Sequence, residues 1–138
     1  MNAPILLDTH VILWSLTEPE KISDQARPLI LAAKKAQNLI ISSMTLWEIA
    51  MLASKKRIRI DNDINKALKT ICDLSGVSVI DISIEIADLS NSLPGNFHGD
   101  PSDRIITTTA ICNNATLITK DRQILEWSTA QNVQTISS

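Results

Sequence analysis

The sequence predicts an α/β fold built on a central, mostly parallel sheet with helices over both faces. Two observations carry this. Short runs rich in Ile, Val and Leu recur along the chain, each too short for a helix and apolar throughout, as in strands buried on both faces. Between them lie stretches with apolar residues at three- and four-residue spacing, the mark of helices with one buried face. Strands alternating with helices make βαβ units, and their crossovers cover the sheet.

Taken in order, the first strand is expected at 5–7, followed by a helix from about His10 that carries Ile12, Leu13 and Leu16. A helix with Ala26, Leu29, Ile30 and Ala33 on one face leads to a strand at 39–41. Leu46, Ile49, Ala50 and Ala53 mark the next helix, and 77–82 the next strand. A helix opening near Pro101 carries Ile105, Ile106, Thr109 and Ala110. A strand at 116–118, a short helix at 123–127 and a last strand at 133–136 complete the pattern.

At 138 residues, without a repeat or a Gly/Ser-rich linker, the chain reads as a single domain over 1–138. With 44% hydrophobic and 20% charged residues it is a globular composition, which excludes a disordered or collagenous chain. A net charge of −2 excludes a strongly basic general nucleic-acid binder, though not a local basic patch. Two isolated cysteines suit a reducing cytoplasm, and neither a membrane span nor a signal peptide is expected.

In a parallel sheet, ligands bind at the carboxyl ends of the strands. Asp8, Glu48, Asp100, Asp103 and Asp121 all fall there or in the helical turns just beyond. Carboxylates gathered at one edge repel one another unless a cation neutralises them, and a hard divalent ion such as Mg²⁺ or Mn²⁺ is the natural occupant. A plainer reading applies to each residue singly. Thr45-Leu46-Trp47-Glu48 matches a capping box, and Asp100-Pro101-Ser102-Asp103 is a strong helix start. Asp8 and Asp121 are also suited to cap helices. Spacing alone leaves both readings open.

The segments LLDTHVILW at 6–14, ISSMTLWEIA at 41–50, GDPSDRIITTTA at 99–110 and LITKD at 117–121 resemble the PIN-domain ribonucleases. The nearest likeness is to VapC-type toxins of bacterial type II toxin–antitoxin systems, in order and over nearly the whole chain. The resemblance implies a three-layer α/β/α sandwich and a carboxylate site for Mg²⁺ or Mn²⁺ formed by Asp8, Glu48, Asp103 and Asp121. Asp100 is read mainly as the helix cap, with a metal contact left open. It further implies hydrolysis of RNA phosphodiesters, a cognate antitoxin encoded next door, and a homodimer for which Trp14 and Trp47 are candidate contacts.

Around these, Thr9, Ser42 and Thr119 are placed to orient carboxylates, or simply to bond backbone at strand ends. Arg104 is expected to pair with a carboxylate rather than to contact phosphate. His98 reads as a solvated loop residue and His10 as packed behind Asp8. The run Lys55-Lys56-Arg57-Ile58-Arg59 reads as a solvated helix end, or with Lys120 and Arg122 as a guide for an RNA backbone. With Trp14, Trp47, Trp127 and Phe97 the only aromatics, a base-stacking platform is not expected, and Cys72 and Cys112 read as packing. Two rival readings stand. One is a receiver-like phospho-acceptor using Asp8, Asp81, Thr119 and Lys120, which leaves Glu48 and Asp103 without roles. The other is a non-catalytic interaction module.

Overall fold

The computed structural model describes residues 3–60, 63–97, 99–131 and 133–138. Five strands form one sheet: β1 (Ile5–Leu7), β2 (Leu39–Ser42), β3 (Val77–Ile80), β4 (Thr116–Thr119) and β5 (Thr135–Ser137). Their spatial order is β3-β2-β1-β4-β5, and every pairing is parallel. The three central strands are buried along their length, while the edges β3 and β5 are half-exposed.

Among the described residues, seven α-helices connect them: α1 (Thr9–Thr17), α2 (Ala26–Lys35), α3 (Ser43–Ser54), α4 (Ile64–Cys72), α5 (Ile84–Leu89), α6 (Pro101–Cys112) and α7 (Arg122–Gln131). The two-residue period of the strands sorts their side chains into two cores. Ile5, Leu7, Leu39, Ile41 and Ile118 pack on one face with Val11 and Ile12 of α1, Ile30 of α2 and Ile71 of α4. Leu6, Ile40 and Leu117 pack on the other with Ile106 and Ala110 of α6 and Ile124 and Trp127 of α7. The result is the three-layer α/β/α sandwich. Burying each fully enclosed leucine or isoleucine contributes about 1.5–3 kcal/mol, so these central strands anchor the molecule.

Several local expectations change. Helix α7 runs well past 123–127, and α4 and α5 lie in stretches with no expected helix. Cys72 is exposed at the end of α4 rather than packed, while Cys112 is half-buried. The receiver-like reading fails on topology: such domains have the strand order 2-1-3-4-5 with β3 central. Here β3 is an edge strand, and Asp81 after it is exposed. Among the described residues no helix is long and apolar enough to cross a membrane.

In the order β3-β2-β1-β4-β5, the chain leaves β1 to one side and later crosses to β4 on the other. The carboxyl ends of β1 and β4 therefore flank the switch in connectivity, where a crevice opens in doubly wound sheets. Asp8 and Asp121 follow these two strands.

Candidate active site

Asp8 is the centre of the site. Its backbone N–H donates to Ile118 O of β4 at 3.0 Å, which extends the β1–β4 ladder by one rung. Its carboxylate is buried, 8% exposed, and both oxygens are engaged. Oδ1 accepts from the Thr9 backbone N–H at 2.8 Å, and Oδ2 from Thr119 Oγ1 at 2.6 Å. Burial pushes the acid pKa up, and Glu48 nearby adds to that; the Thr119 and Thr9 bonds pull the other way.

Thr9 ties Asp8 to Glu48. Its fully buried hydroxyl donates to Glu48 Oε1, and Thr45 Oγ1 lies 3.1 Å from Thr9 Oγ1. A hydroxyl has one proton, so Thr45 supplies the proton of the second bond. The expected capping box at Thr45 is therefore not what forms. Helix α3 begins at Ser43 and is capped by Ser42, whose Oγ accepts from Met44 N at 3.0 Å. Thr45 and Glu48 then stand one turn apart inside the helix, both meeting Thr9. Thr45 was missed as a positioning residue, although its three-residue spacing from Glu48 held the signal.

Asp100 caps α6: its Oδ1 accepts from Asp103 N at 2.9 Å, and Pro101 fills the first helical position. Asp103 is half-buried, and its pKa is pushed up to about 7. Burial is the first cause, followed by the charges of Asp100, Asp8 and Asp121; a hydrogen bond from the Asp100 backbone opposes them. Asp103 thus lies within electrostatic reach of Asp8 after β1 and Asp121 after β4. Gly99 is required by close approach, since a Cβ there would lie 2.6 Å from Asp103 Cβ and 2.3 Å from the Phe97 ring.

Asp121 is held by both strand and helix. Its N–H donates to Thr119 Oγ1 at 3.1 Å, and its Oδ1 accepts from Gln123 N at 2.8 Å and Ile124 N at 3.3 Å, capping α7. The N-termini of α1, α3, α6 and α7 thus all meet this edge, and their positive ends offset part of the carboxylate repulsion. Among the described residues, the hydrogen bonds of Glu48, Asp100 and Asp121 side chains each fall on a single oxygen.

Among the described residues, Arg104 pairs with no carboxylate. Its guanidinium donates to the carbonyls of Phe97 at 3.0 Å and Ser90 at 3.5 Å and lies over the Phe97 ring, so it fastens the 90–97 loop to α6. Ser42 is a cap, the plainer of its two readings. His10 is half-buried, but it lines a cleft beside the site instead of packing behind Asp8. Burial first, then the Lys120 ammonium, holds its pKa below the usual histidine value. His98 lies outside the described residues. Ser102, buried beside Asp103 in the chain, has an Oγ without a hydrogen-bond partner among the described residues.

The donor set is all oxygen and strongly anionic, which fits a hard divalent cation and not a soft one. Among the described residues, no group of three or more acidic, imidazole or thiol side chains is disposed, as it stands, to hold a metal ion.

The PIN domain family model matches residues 5–128, which include every carboxylate described above. Ribonuclease VapC22 of Mycobacterium tuberculosis is 33% identical over 120 residues, spanning 87% of this chain and 88% of the relative. A toxin-antitoxin complex from Klebsiella pneumoniae contains a chain 25% identical, with a TM-score of 0.56 and 87% of both chains covered. In DNA-bound VapBC from Salmonella typhimurium, 15% identity accompanies a TM-score of 0.67 over 99% of this chain and 98% of that one. The motifs, the sheet order and these likenesses agree: the chain belongs to the PIN-domain family, in its VapC branch.

Proposed function

We propose that this chain is a metal-dependent endoribonuclease, the toxin of a toxin–antitoxin pair, acting as a single PIN domain in the cytoplasm. The observation that carries it is the gathering of Asp8, Glu48, Asp103 and Asp121 at the β1/β4 switch, with Asp103 raised to about 7 by burial first and then by the charges of its neighbours. The kinship to a relative named as a ribonuclease supports the activity, and the kinship to a toxin-antitoxin complex supports the partner.

Asp8, Glu48, Asp103 and Asp121 would hold Mg²⁺ or Mn²⁺, with Asp100 as the cap of α6 beside them. When bound, the ion lowers the pKa of a water and stabilises charge developing on the phosphoryl group. The chain's own task is to hold the carboxylates still. Thr119 and the Thr9 N–H fix Asp8, the Thr9 hydroxyl fixes Glu48, and the α7 cap fixes Asp121. Because these supports lie on rigid elements and are mostly buried, the ligands are set before substrate arrives.

The partner of such a toxin is an antitoxin from a neighbouring gene, and an arginine from it, planar and bidentate, would match the anionic cleft. The toxin itself is proposed to form a homodimer. Trp47, 57% exposed on α3, is its best contact, because exposed tryptophans mark interface hot spots.

The test is cleavage of single-stranded RNA by the purified chain with Mg²⁺ or Mn²⁺. Cleavage stopped by EDTA and absent in Asp8→Asn and Asp103→Asn is the expected result. Wild-type rates in both variants would overturn the site. Growth arrest on expression, rescued by the neighbouring reading frame, tests the toxin role.

A further inference from the structure

We propose that a basic cleft beside the carboxylates seats phosphates of the RNA strand next to the bond that is cut. This deepens the ribonuclease reading and rests on it. The cleft, of about 460 Å³, is lined by His10, Trp14, Lys21, Arg57, Arg59 and Lys120 among others. Among the described lining residues, Lys21, Arg57 and Lys120 stand with one carboxylate, Glu18, which is paired with Lys21, so the cleft keeps an excess of positive charge without counting Arg59.

Trp14 organises the charge. The Lys21 and Lys120 ammonium groups lie over its ring, 5.8 Å and 5.4 Å from the centroid. A cation–π contact orients an ammonium without neutralising it. With ammonium groups over this ring, the cleft recognises charge rather than stacking a base. Arg57 is fixed by the end of α3. Lys56 takes the left-handed conformation (φ 57°), and Arg57 N–H returns to Leu52 O at 2.9 Å, turning the chain toward the cleft.

The cleft also adjoins the chemistry. His10 is two residues past Asp8, and Lys120 separates Thr119, which bonds Asp8, from Asp121. A site made of carboxylates repels the polyanion that it must bind. Cations on its flank supply the missing attraction and set which way the strand enters. An acidic protein segment is attracted by the same charges. RNA is favoured because the cleft opens beside the carboxylates that act on it.

The experiment uses the full chain carrying Asp103→Asn, in EDTA, and a short fluorescent single-stranded oligoribonucleotide. Binding is measured across salt concentrations. Each phosphate contact on a single strand contributes about 0.7 to the slope of log K against log salt. Adding Arg57→Gln with Lys120→Gln is expected to lower the slope by about 1.4, while Lys66→Gln on α4 leaves it unchanged. Without Asp103→Asn, the same pair should raise KM for cleavage more than it lowers kcat. An unchanged slope, with the thermal midpoint retained, overturns the proposal. So does a pair that loses affinity for polyglutamate but keeps it for RNA, which would mark the cleft as a protein site. If the Asp103→Asn parent binds no RNA at all, the ribonuclease reading falls as well; a parent that binds RNA with a slope the pair does not alter sinks the cleft alone.

Discussion

The raised pKa of Asp103 makes the metal-free protein's stability fall as pH rises. Its ordinary value is 3.8, and in the folded chain it is about 7. Between these values the folded state keeps a proton that the unfolded state has lost. Stability is therefore greatest below the unfolded value and declines until pH passes about 7. A shift of about 3 units sets a ceiling of about 4 kcal/mol. Asp103 is only half-buried, and solvent screening reduces this to about 1–2 kcal/mol. At this chain length that is a fall of about 4–8 °C in thermal midpoint. Asp8 is shifted in the same direction, whereas His10, held below its usual 6.5, contributes with opposite sign at acid pH. The quantity to measure is thus the difference between wild type and Asp103→Asn, by thermal unfolding in EDTA from pH 5 to 8. The variant should lose much of the decline and be the more stable of the two at pH 8. Mn²⁺ at pH 8 should raise the wild type and raise the variant less. Parallel curves for the two proteins would refute the reasoning.

Three further outcomes follow from single contacts. Thr119→Val removes the 2.6 Å bond to the buried Asp8 and the acceptor of the Asp121 N–H, so denaturant unfolding at pH 8 should show a loss of about 2 kcal/mol; undiminished stability would mean that this bond does not hold Asp8. Asp100→Asn keeps the cap but removes a charge beside Asp103, so the apo-protein should gain stability at pH 8. Asp100→Ala loses the cap, at a cost of about 0.5–2 kcal/mol set against the same relief. If Asn and Ala behave alike in unfolding experiments, the cap assignment is wrong. Thr108 is fully buried with a hydroxyl that has no partner among the described residues, so Thr108→Val should stabilise by about 1 kcal/mol, seen as a midpoint higher by about 4 °C. A lower midpoint would reveal a partner for that hydroxyl.

Strands buried on both faces are readable because nothing but apolar residues fits them, and 5–7, 39–41 and 116–118 fall on β1, β2 and β4. Helix α4 did carry a helical signal, Ile64, Ala67, Leu68 and Ile71 at three- and four-residue spacing, that the strand-and-helix reading passed over, although only Ile71 of its nine residues is buried. The carboxylates were legible from their places after strands. Thr9 and Thr119 were legible as supports from their places beside the carboxylates, and both hydrogen-bond to them; Thr45 was not, because its contact with Thr9, 36 residues away, is tertiary. Arg104 was misplaced for a related reason. A guanidinium is satisfied by carbonyls as well as by carboxylates, and the loop that brings Phe97 O and Ser90 O to it is tertiary. The basic run after α3 lies far along the chain from Trp14 and Lys120, and only the fold joins them in one cleft.

Capping a helix and holding a cation were set against each other for every carboxylate, and the structure removes the conflict. Asp100 and Asp121 each cap a helix through Oδ1 alone, and Glu48 meets Thr9 through Oε1 alone. Among the described residues, each therefore keeps a second oxygen without a hydrogen bond. The cap fixes the side-chain rotamer, and the positive helix end offsets part of the charge that would otherwise drive the carboxylates apart. Asp8, both of whose oxygens are bonded, has the deepest burial of the set and the most support. Bonds at these distances still leave lone pairs, since a carboxylate offers about four acceptor positions. The edge is thus built from helix starts because a helix start is a way to hold an anion in place. Its remaining cost, seen in the raised pKa of Asp103, is free energy that the proposed divalent ion would recover on binding.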